Sequence, residues 1–294
     1  MDKPIFSIIM PTFNRAGFIG RSIASIVEQD FTAWELIVVD DGSEDNTSDI
    51  VFSFGDERIN YHFQSNRERA AARNAGTVLA RGDYVTFLDS DDIFYDGHLT
   101  TAFQVMGNYS RPEIFHLGYE LKGYSDAKSF KIDFFPAIGN DELVNGNSFS
   151  CQGVFLRADI AREYQFNPDR ELSGSEDYEL WFRLASRYPI FCDNRVTSAV
   201  IQHDERSVIS TSPEKLIRRI ALLEKYLSSD EAFVNKFGDK MRVIRSNLQI
   251  YISLHLALMK NQRLNAIRHL IRALTISPLA LKRRAFYGAL KNIL

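Results

Sequence analysis

Cysteine and long apolar runs are scarce in this 294-residue chain. Two cysteines, Cys151 and Cys192, are too few for the disulfide framework of a small secreted protein, so we expect free thiols in a reducing cytosol. No run of about 18 uncharged apolar residues occurs, which argues against a membrane-spanning helix. The apolar stretch near the N-terminus is also too short for a signal peptide. These absences predict a cytoplasmic protein.

Acidic residues are absent from the last part of the chain. The 55 residues from Lys240 to Leu294 hold 11 Lys or Arg and no Asp or Glu, whereas the first 239 residues hold 24 Lys or Arg against 38 Asp or Glu. Basic amphipathic helices are typical of proteins that bind at a membrane surface. Two interpretations stay open: the basic C-terminal helices pack on the acidic body or form a homodimer, or they make peripheral contact with the inner face of a membrane.

Nucleic acid is not expected as a partner, because no recognisable nucleic-acid-binding module accompanies the basic segment. Zinc-type spacings such as HxxxH are also missing, so we interpret the six histidines mainly as packing or surface residues.

The first 90 residues alternate between strand and helix patterns. Apolar, β-branched runs predict strands at 5–10, 35–40, 59–63 and 84–88. Helical spacing predicts helices between them, at 18–29, 47–54 and 70–80. This alternation is typical of an α/β fold with a mostly parallel sheet and right-handed crossovers.

The pattern is less regular after residue 96. Strands are predicted at 114–121, 153–156 and 196–203, and helices at 97–106, 158–164 and 178–187. From Ser212 onward every segment has a helical pattern, and Ser212 followed by Pro213 is a typical helix start.

Polar residues collect where the predicted strands end. They occupy the segments 11–15, 40–43, 66–74 and 89–92. In an open parallel sheet, ligands bind beyond the carboxyl ends of the strands, and these segments all follow such ends. The sequence therefore predicts a binding site at this edge of the sheet.

The segment DSDD places Asp89 and Asp91 two residues apart. In an extended chain, side chains two residues apart point the same way, so both carboxylates can converge on one point. Carboxylate oxygens suit a hard divalent cation, Mg²⁺ or Mn²⁺. The alternative is a turn or a helix cap without an ion.

Other charged residues at this edge are each compatible with two interpretations. Asp41 is either a carboxylate that binds a base or ribose, or part of a tight turn. Arg69 and Arg73, at the start of a helix, either bind phosphate or lie on a solvated helix face. Asp177 is either a catalytic base or the cap of the helix that follows it.

Five ordered motifs extend these observations: PTFNR, VVDDGS, AARNAG, GDYVTFLDSDD and SEDYELWFRLA. Together, over about residues 5–205, they resemble the family 2 glycosyltransferases with a GT-A fold. The resemblance implies transfer of a sugar, with inversion, from a nucleotide-diphosphate donor, most often UDP-linked. It also implies a catalytic domain at 1–210, with a nucleotide-sugar-binding half at 1–108 and an acceptor-side half at 109–210. A helical, basic region would follow at 211–294.

The resemblance also implies roles for individual residues. On the donor side it assigns Pro11, Asp41, Arg73, Asp89 and His203. Asp91 matches the metal-binding aspartate of a DXD motif, with Asp89 as its partner, and Asp177 matches the catalytic base. Gln202 stands where a basic residue is frequent in the family.

The residues fit this chemistry by themselves. A divalent metal held by Asp91 would offset the negative charge that develops on the leaving diphosphate. A carboxylate such as Asp177 would accept the proton of the attacking hydroxyl, as in an inverting glycoside hydrolase. The expected partners are a nucleotide-sugar donor and a sugar or lipid-linked acceptor, in polysaccharide or glycolipid synthesis.

Two rival functions are compatible with a related fold. One is a non-catalytic sugar- or nucleotide-binding protein. The other is a sugar-1-phosphate nucleotidyltransferase, whose glycine-rich loop after the first strand is not matched by PTFNRAG. Catalysis is favoured if Asp41, Asp91 and Asp177 gather around one cleft.

Overall fold

The predicted strands form one mixed β-sheet in the computed structural model, which describes residues 3–123, 129–131, 135–203 and 212–294. The strands are β1 (Phe6–Thr12), β2 (Trp34–Asp40), β3 (Ile59–Phe63), β4 (Tyr84–Phe87), β5 (Ile93–Phe94), β6 (Ile114–Gly123), β7 (Ser129–Lys131), β8 (Val154–Arg157) and β9 (Ile190–Gln202). Their order is β3-β2-β1-β4-β8-β6-β9-β5, and β7 pairs with β6.

The sheet changes character halfway across. Strands β1 to β4 are parallel to one another, as predicted. Strand β8 then inserts antiparallel to both β4 and β6, while β6 and β9 run parallel. The α/β class is therefore confirmed, with the parallel half at the N-terminus and a mixed half after it.

Helices cover both faces of the sheet. They are α1 (Ile19–Val27), α2 (Thr47–Ser53), α3 (Glu68–Leu79), α4 (His98–Asn108), α5 (Ala158–Glu163), α6 (Glu176–Ala185), α7 (Pro213–Ser229), α8 (Glu231–Phe237), α9 (Met241–Leu258), α10 (Arg263–Ile276) and α11 (Arg284–Ile293). Short 3₁₀ segments occur at Asn140–Asn145, Cys151–Gly153, Arg170–Leu172, Gly238–Lys240 and Pro278–Lys282.

Two apolar cores lie on the two faces of the sheet, because successive residues of a strand point to opposite sides. In β2, Leu36 and Val38 belong to the core beneath α1 and α4. Ile37 and Val39 belong to the other core, beneath α3 and α6. A strand buried on both faces needs an uninterrupted apolar run, and this is the pattern that predicted β2 from the sequence.

The C-terminal helices share the second core. Leu216, Ile220 and Leu223 of α7 are buried in the same apolar cluster as the residues of α6. The ring of Phe182 on α6 packs edge-on against Phe233 and Phe237 of α8, with centroids 5.2 and 5.3 Å away. Ser212 caps α7 as predicted, accepting a hydrogen bond from Lys215 N. The division of the chain at residue 210 stays a prediction.

Strand β9 begins earlier than predicted. It starts at Ile190 rather than near residue 196, and its pairing with β6 shifts register between Leu117 and Tyr119. The polar segment that follows Cys192 interrupts the apolar pattern there, so the sequence alone hides the first half of the strand. The short β5, which pairs with Ser198 and Ala199 of β9, was not predicted because it has only two residues.

Candidate active site

A cleft of about 380 Å³ lies beyond the carboxyl ends of β1, β2 and β4. Its walls come from the polar segments that follow these strands and from the start of α3. The lining residues are Pro11, Thr12, Phe13, Asn14, Arg15, Asp41, Asn66, Glu68, Arg69, Asp89, Ser90 and Asp91. The predicted edge of the sheet therefore does form a cavity, and it contains four of the predicted site residues.

Asp41 is held in a fixed orientation at the end of β2. Its backbone N–H donates to Thr12 O of β1 over 2.8 Å. Its Oδ1 accepts hydrogen bonds from Gln64 Nε2 at 2.6 Å and from Arg67 N at 2.9 Å. The following Gly42 has φ of +93°, a backbone conformation that glycine adopts without strain. This turn and these donors position the buried carboxylate at the wall of the cleft.

Three carboxylates cluster after β4. Oxygens of Asp89, Asp91 and Asp92 all lie within 4.8 Å of one another. Asp92 is buried, and its Oδ1 accepts a hydrogen bond from Ile201 N of β9 at 2.9 Å, so this residue anchors β9. Asp89 and Asp91 line the cleft. Carboxylate oxygens at this spacing fit a hard divalent cation, which would relieve the repulsion between them.

His203 contacts the same cluster from the end of β9. Its Nε2 lies 2.9 Å from Asp91 Oδ2, and its ring stacks on Phe18 with centroids 4.4 Å apart. Arg15 approaches the same oxygen of Asp91, with Nε at 3.9 Å. The predicted donor-side histidine is therefore next to the predicted metal-binding aspartate. The residues that follow it, 204–211, lie outside the described part of the chain.

Arg73 is buried behind the cleft rather than exposed on a helix face. Its Nη2 donates to Asp89 Oδ1 at 2.6 Å, and its Nη1 donates to Glu176 Oε1 at 2.9 Å. Burial alone would lower the pKa of the guanidinium, but the charges of Asp89 and Glu176 raise it well above its usual value. Arg73 thus connects the acidic cluster to the start of α6. Its predicted contact with the donor stays a prediction.

Asp177 lies in the first turn of α6, directly after Glu176, the residue that Arg73 contacts. Helix α6 begins at Glu176, so Asp177 is inside the helix and is not its cap. Its Oδ2 accepts a hydrogen bond from Asn147 Nδ2 at 2.9 Å, and its Oδ1 accepts from Tyr178 N at 2.7 Å. Burial and the neighbouring charge of Glu176 raise the pKa of Asp177 to about 6, against the opposing effects of Arg73 and these hydrogen bonds.

The pKa of Glu176 is shifted in the direction opposite to that of Asp177. Glu176 is buried, which by itself raises its pKa, but the charges of Arg69 and Arg73 outweigh this and lower the pKa below its usual value. Its Oε2 also accepts a hydrogen bond from Gly174 N at 2.5 Å. Two adjacent carboxyl groups with pKa values moved in opposite directions are a common arrangement for acid–base chemistry.

The predicted residues are brought together in two connected groups. Pro11, Asp41, Asp89 and Asp91 line the cleft, while Asp177 lies beside it through Arg73 and Glu176. The roles of Arg73 and Asn147 at Asp177 were not predicted. Asn147 lies in a polar stretch without periodicity, and no local pattern indicates that its side chain reaches α6.

Comparison with known proteins gives a family match for the part of the chain that forms the cleft. The model of a family described as glycosyl transferase family 2 matches residues 7–162, just over half of the chain. One relative is the Escherichia coli protein named UDP-Glc:alpha-D-GlcNAc-diphosphoundecaprenol beta-1,3-glucosyltransferase WfgD. It is 32% identical over 187 residues, which cover 63% of this chain and 71% of that protein.

Solved structures share the fold along almost the whole chain. S. aureus TarS 1–349 in complex with UDP-GlcNAc has a TM-score of 0.70 at 19% identity, covering 98% of this chain and 88% of that one. The mannosyltransferase PcManGT from Pyrobaculum calidifontis, in complex with GDP-Man and Mn²⁺, has a TM-score of 0.60 at 16% identity, covering 99% and 87%. The predicted GT-A fold is thereby confirmed.

Proposed function

The chain belongs to glycosyl transferase family 2, and we propose that it transfers a sugar, with inversion, from a UDP-linked donor to a hydroxyl group of a lipid-linked acceptor. This reaction would be a step in polysaccharide or glycolipid synthesis. The observation that carries the proposal is the placement of Asp177, a carboxyl group with a pKa raised to about 6, beside an acidic cleft. A protein that only binds sugars or nucleotides does not need a proton acceptor there.

The donor side is supported by the cleft after β1, β2 and β4. Pro11 and Asp41 lie on one wall, where a uracil base and its ribose would bind, and Asp41 is oriented to accept hydrogen bonds from them. A UDP-linked sugar is suggested by two of the similar proteins. The structure of TarS is a complex with UDP-GlcNAc, and the name of WfgD includes UDP-Glc.

The diphosphate would lie over Asp89 and Asp91, with His203 and Arg15 beside Asp91. These carboxylates would hold Mn²⁺ or Mg²⁺, and the structure bound to Mn²⁺ among the relatives supports such an ion. When bound, the ion offsets the charge of the leaving diphosphate. Arg73 keeps Asp89 in place for this role, because it donates to Asp89 from a buried position.

Asp177 is the proposed base. In its ionised form it accepts the proton of the acceptor hydroxyl as that oxygen attacks the anomeric carbon from the side opposite the leaving group. Asn147 and the N–H of Tyr178 hold the carboxylate oxygens in position. Glu176 is already ionised and bound to Arg73, so it sets the local field and does not compete for the proton.

The acceptor is proposed from the same neighbourhood. Residues 1–108 would bind the donor, 109–210 would bind the acceptor, and the helices at 211–294 would hold the enzyme at the membrane that carries the lipid. The diphosphoundecaprenol acceptor in the name of WfgD supports this choice. A homodimer stays a prediction.

The test is a transfer assay on the purified chain. UDP-glucose, UDP-N-acetylglucosamine and GDP-mannose would each be supplied with Mn²⁺ or Mg²⁺ and an undecaprenyl-diphosphate-linked sugar, and the product would be identified by mass spectrometry. We expect one UDP-linked donor to give a product with an inverted anomeric centre. Asp177→Asn should bind the donor without transfer, whereas Asp159→Asn, a matched change on the surface of α5, should transfer normally.

Thermal stabilisation by the donor, nucleotide release, and a parallel assay with a nucleoside triphosphate and a sugar 1-phosphate separate the rival functions. A non-catalytic binding protein would be stabilised by a nucleotide sugar but would release no nucleotide with any acceptor. A nucleotidyltransferase would release pyrophosphate from a nucleoside triphosphate and a sugar phosphate. Either result would refute the proposed transfer.

A further inference from the structure

The helices after residue 240 have one buried face and one exposed face. On α10, Ala266, Leu270 and Ala273 are buried in the core. Leu264 and Ile271, which lie seven residues apart and so on one side of the helix, are 72% and 56% exposed. The interpretation of this segment as packing on the body therefore explains its buried face and leaves its outer face unexplained.

The exposed apolar residues of α10 are interleaved with cations. Arg268 and Arg272 are exposed on the same side of α10, at positions four and eight residues after Leu264. We call Leu264, Arg268, Ile271 and Arg272 the basic face. The same composition continues after α10, where Leu281 and Tyr287 are exposed near Lys282 and Lys291.

Among the described residues, two ion pairs join the beginning of this segment to the acidic body. Lys240 pairs with Asp141 at 2.7 Å, and Arg245 pairs with Glu224 at 2.5 Å. Lys240 directly precedes α9, and Arg245 lies near its start. The basic face belongs to α10, which packs on α9 and on α11, and its side chains are directed to solvent.

We propose that the basic face binds the surface of a bilayer that contains anionic phospholipid. Alternating Leu, Ile and Arg side chains can insert the apolar groups at the level of the headgroups while the guanidinium groups meet the lipid phosphates. The segment from Lys240 to Leu294 has 11 basic and no acidic residues, so its charge is complementary to an anionic surface throughout. A search of the described helices finds none that could span a bilayer.

A second copy of the chain fits this face less well. In a symmetric dimer the same patch occurs on both partners, so the arginines of one basic face would meet those of the other. Juxtaposed like charges oppose such an interface. An anionic bilayer offers the opposite charge and an apolar layer at the same depth.

The basic face is also connected to the proposed acceptor side. Asn247 of α9, the helix on which α10 packs, donates to Val144 O at 2.7 Å. Three residues further along the chain, Asn147 donates to Asp177. The inference rests on the proposed function in one respect: a lipid-linked acceptor would be met at the surface that this face binds.

Vesicle co-sedimentation of the full chain, without donor or acceptor, tests the proposal. The vesicles would be phosphatidylcholine alone, or phosphatidylcholine with about one third phosphatidylglycerol. We expect binding to the anionic vesicles only, and weaker binding in 1 M salt, where the screening length falls to about 3 Å. Arg268→Gln with Arg272→Gln should lower the partition coefficient about 30-fold, since each cation near an anionic surface contributes a factor of about five.

A matched control uses two exposed lysines of α7, in Lys215→Gln with Lys225→Gln, which should bind as the wild type does. For the apolar part, Leu264→Gln with Ile271→Gln should weaken binding at least fivefold, while Val78→Gln, at an exposed position on α3, should not. Thermal unfolding of each variant shows whether it is folded. Tyr287→Trp supplies a direct signal, because the tryptophan fluorescence should shift to the blue when anionic vesicles bind. This variant removes no side chain from the basic face.

Equal binding to neutral and anionic vesicles would overturn the proposal, and so would unchanged binding of both double variants of the basic face. Light scattering that shows a dimer dissociated by the Leu264 and Ile271 changes would assign the face to a second copy instead. Transfer to a short water-soluble acceptor reports on the proposed reaction separately. If the chain transfers sugar to this acceptor but does not bind anionic vesicles, only the proposed membrane contact is contradicted. If it binds the vesicles but transfers no sugar, only the proposed function is contradicted.

Discussion

Arg73 Nη2 lies 2.6 Å from Asp89 Oδ1, and the arginine is 1% exposed while the aspartate lines the cleft. The other end of the same guanidinium reaches Glu176, 103 residues further along the chain. A planar guanidinium can donate in two directions at once, which an ammonium group cannot do with the same geometry. One side chain therefore joins Asp89, on the proposed donor side, to the start of the helix that carries Asp177.

Arg73→Lys should lower kcat by about 100-fold and the stability by about 2 kcal/mol, although the charge is kept. The lysine can satisfy only one of the two carboxylates, Asp89 at the cleft or the buried Glu176, and a buried charge left without its partner is strongly destabilising. Arg69→Lys is the matched control, because Arg69 Nε is 3.9 Å from Glu176 and the residue is partly exposed. Steady-state kinetics and thermal unfolding measure both effects. Equal losses of kcat and stability in the two variants would mean that the double contact of Arg73 with Asp89 and Glu176 has no special role.

Asp177→Asn should abolish transfer and yet stabilise the fold above about pH 6. The pKa of Asp177 is about 6 in the folded protein, above its value of 3.8 when unperturbed. The native state thus favours the protonated form, and the stability that this group contributes is complete below about pH 4 and is lost as the pH rises through 6. Asn mimics the protonated form, so we expect a gain on the order of 1 kcal/mol at pH 8 and none at pH 4.

Denaturant unfolding of wild type and Asp177→Asn at the two pH values measures this difference. Asp159→Asn, at an exposed site on α5, should show no such gain. A variant that is less stable than the wild type at pH 8 would indicate that the aspartate is a structural residue rather than a strained base.

Asn147→Ala should shift the pH dependence of transfer to higher pH. The proposed base must be ionised, so kcat/KM should rise with pH through about 6 in the wild type and then level off. The hydrogen bond from Asn147 stabilises the ionised carboxylate, and its loss raises the pKa of Asp177. Asn145→Ala removes a neighbouring side chain that bonds to Glu142 and should leave the profile in place. An identical profile for the Asn147 variant would separate this residue from the base.

The parallel half of the fold could be predicted closely from the sequence, because three of its four strands, β1, β2 and β4, are buried on both faces. Strand β2 was predicted within one residue, since its central apolar run marks a buried strand. Strand β3, a partly exposed strand at the edge of the sheet, was predicted with its observed bounds. Strand β9 shows the limit of this reasoning. Its bulge opposite Gly118 takes in a polar segment that looks like a loop, and only pairing with β6 makes it a strand.

The sequence could predict which residues belong to the candidate site, but not which of their side chains contact one another. Asp89 and Asp91 could be placed together because they follow one strand. The contact between Arg73 and Glu176 depends on how α3 and α6 pack across the sheet, and no local pattern carries that information. The outer face of α10 is a similar case. The sequence indicates an amphipathic helix, but it does not show which basic side chains form ion pairs with the rest of the protein and which are exposed.

Asp91→Asn should remove the stabilisation that Mn²⁺ and UDP give together. An ion that binds only the folded state raises the unfolding temperature at saturating concentration, and the loss of a carboxylate ligand would lower that effect. Asp92→Asn should keep most of the shift, because Asp92 is buried and its oxygen accepts from Ile201 N, a bond that an amide oxygen can also accept. Differential scanning fluorimetry with and without Mn²⁺ and UDP makes the comparison. A wild-type shift in Asp91→Asn would exclude it as a ligand.

Gly174→Ala should lower the rate of transfer strongly while the protein stays folded. Gly174 has φ of +91°, and an added Cβ would lie 2.5 Å from Arg219 Nη1. Arg219 is itself buried and donates to Ser173 O at 3.2 Å, so it has little room to move. The N–H of Gly174 donates to Glu176 Oε2, and a shift of this loop therefore moves the start of α6 and the adjacent base.

We expect Gly174→Ala to cost about 1–2 kcal/mol of stability, from the backbone strain alone, and to lower kcat by at least tenfold. Gly107→Ala is the matched control, because Gly107 lies in α4 with open space around its Cβ position, and Ala in a helix should stabilise by up to about 1 kcal/mol. Chemical denaturation and kcat would be measured on both variants. If Gly174→Ala lost stability while keeping full kcat, the loop would support the fold without positioning Asp177.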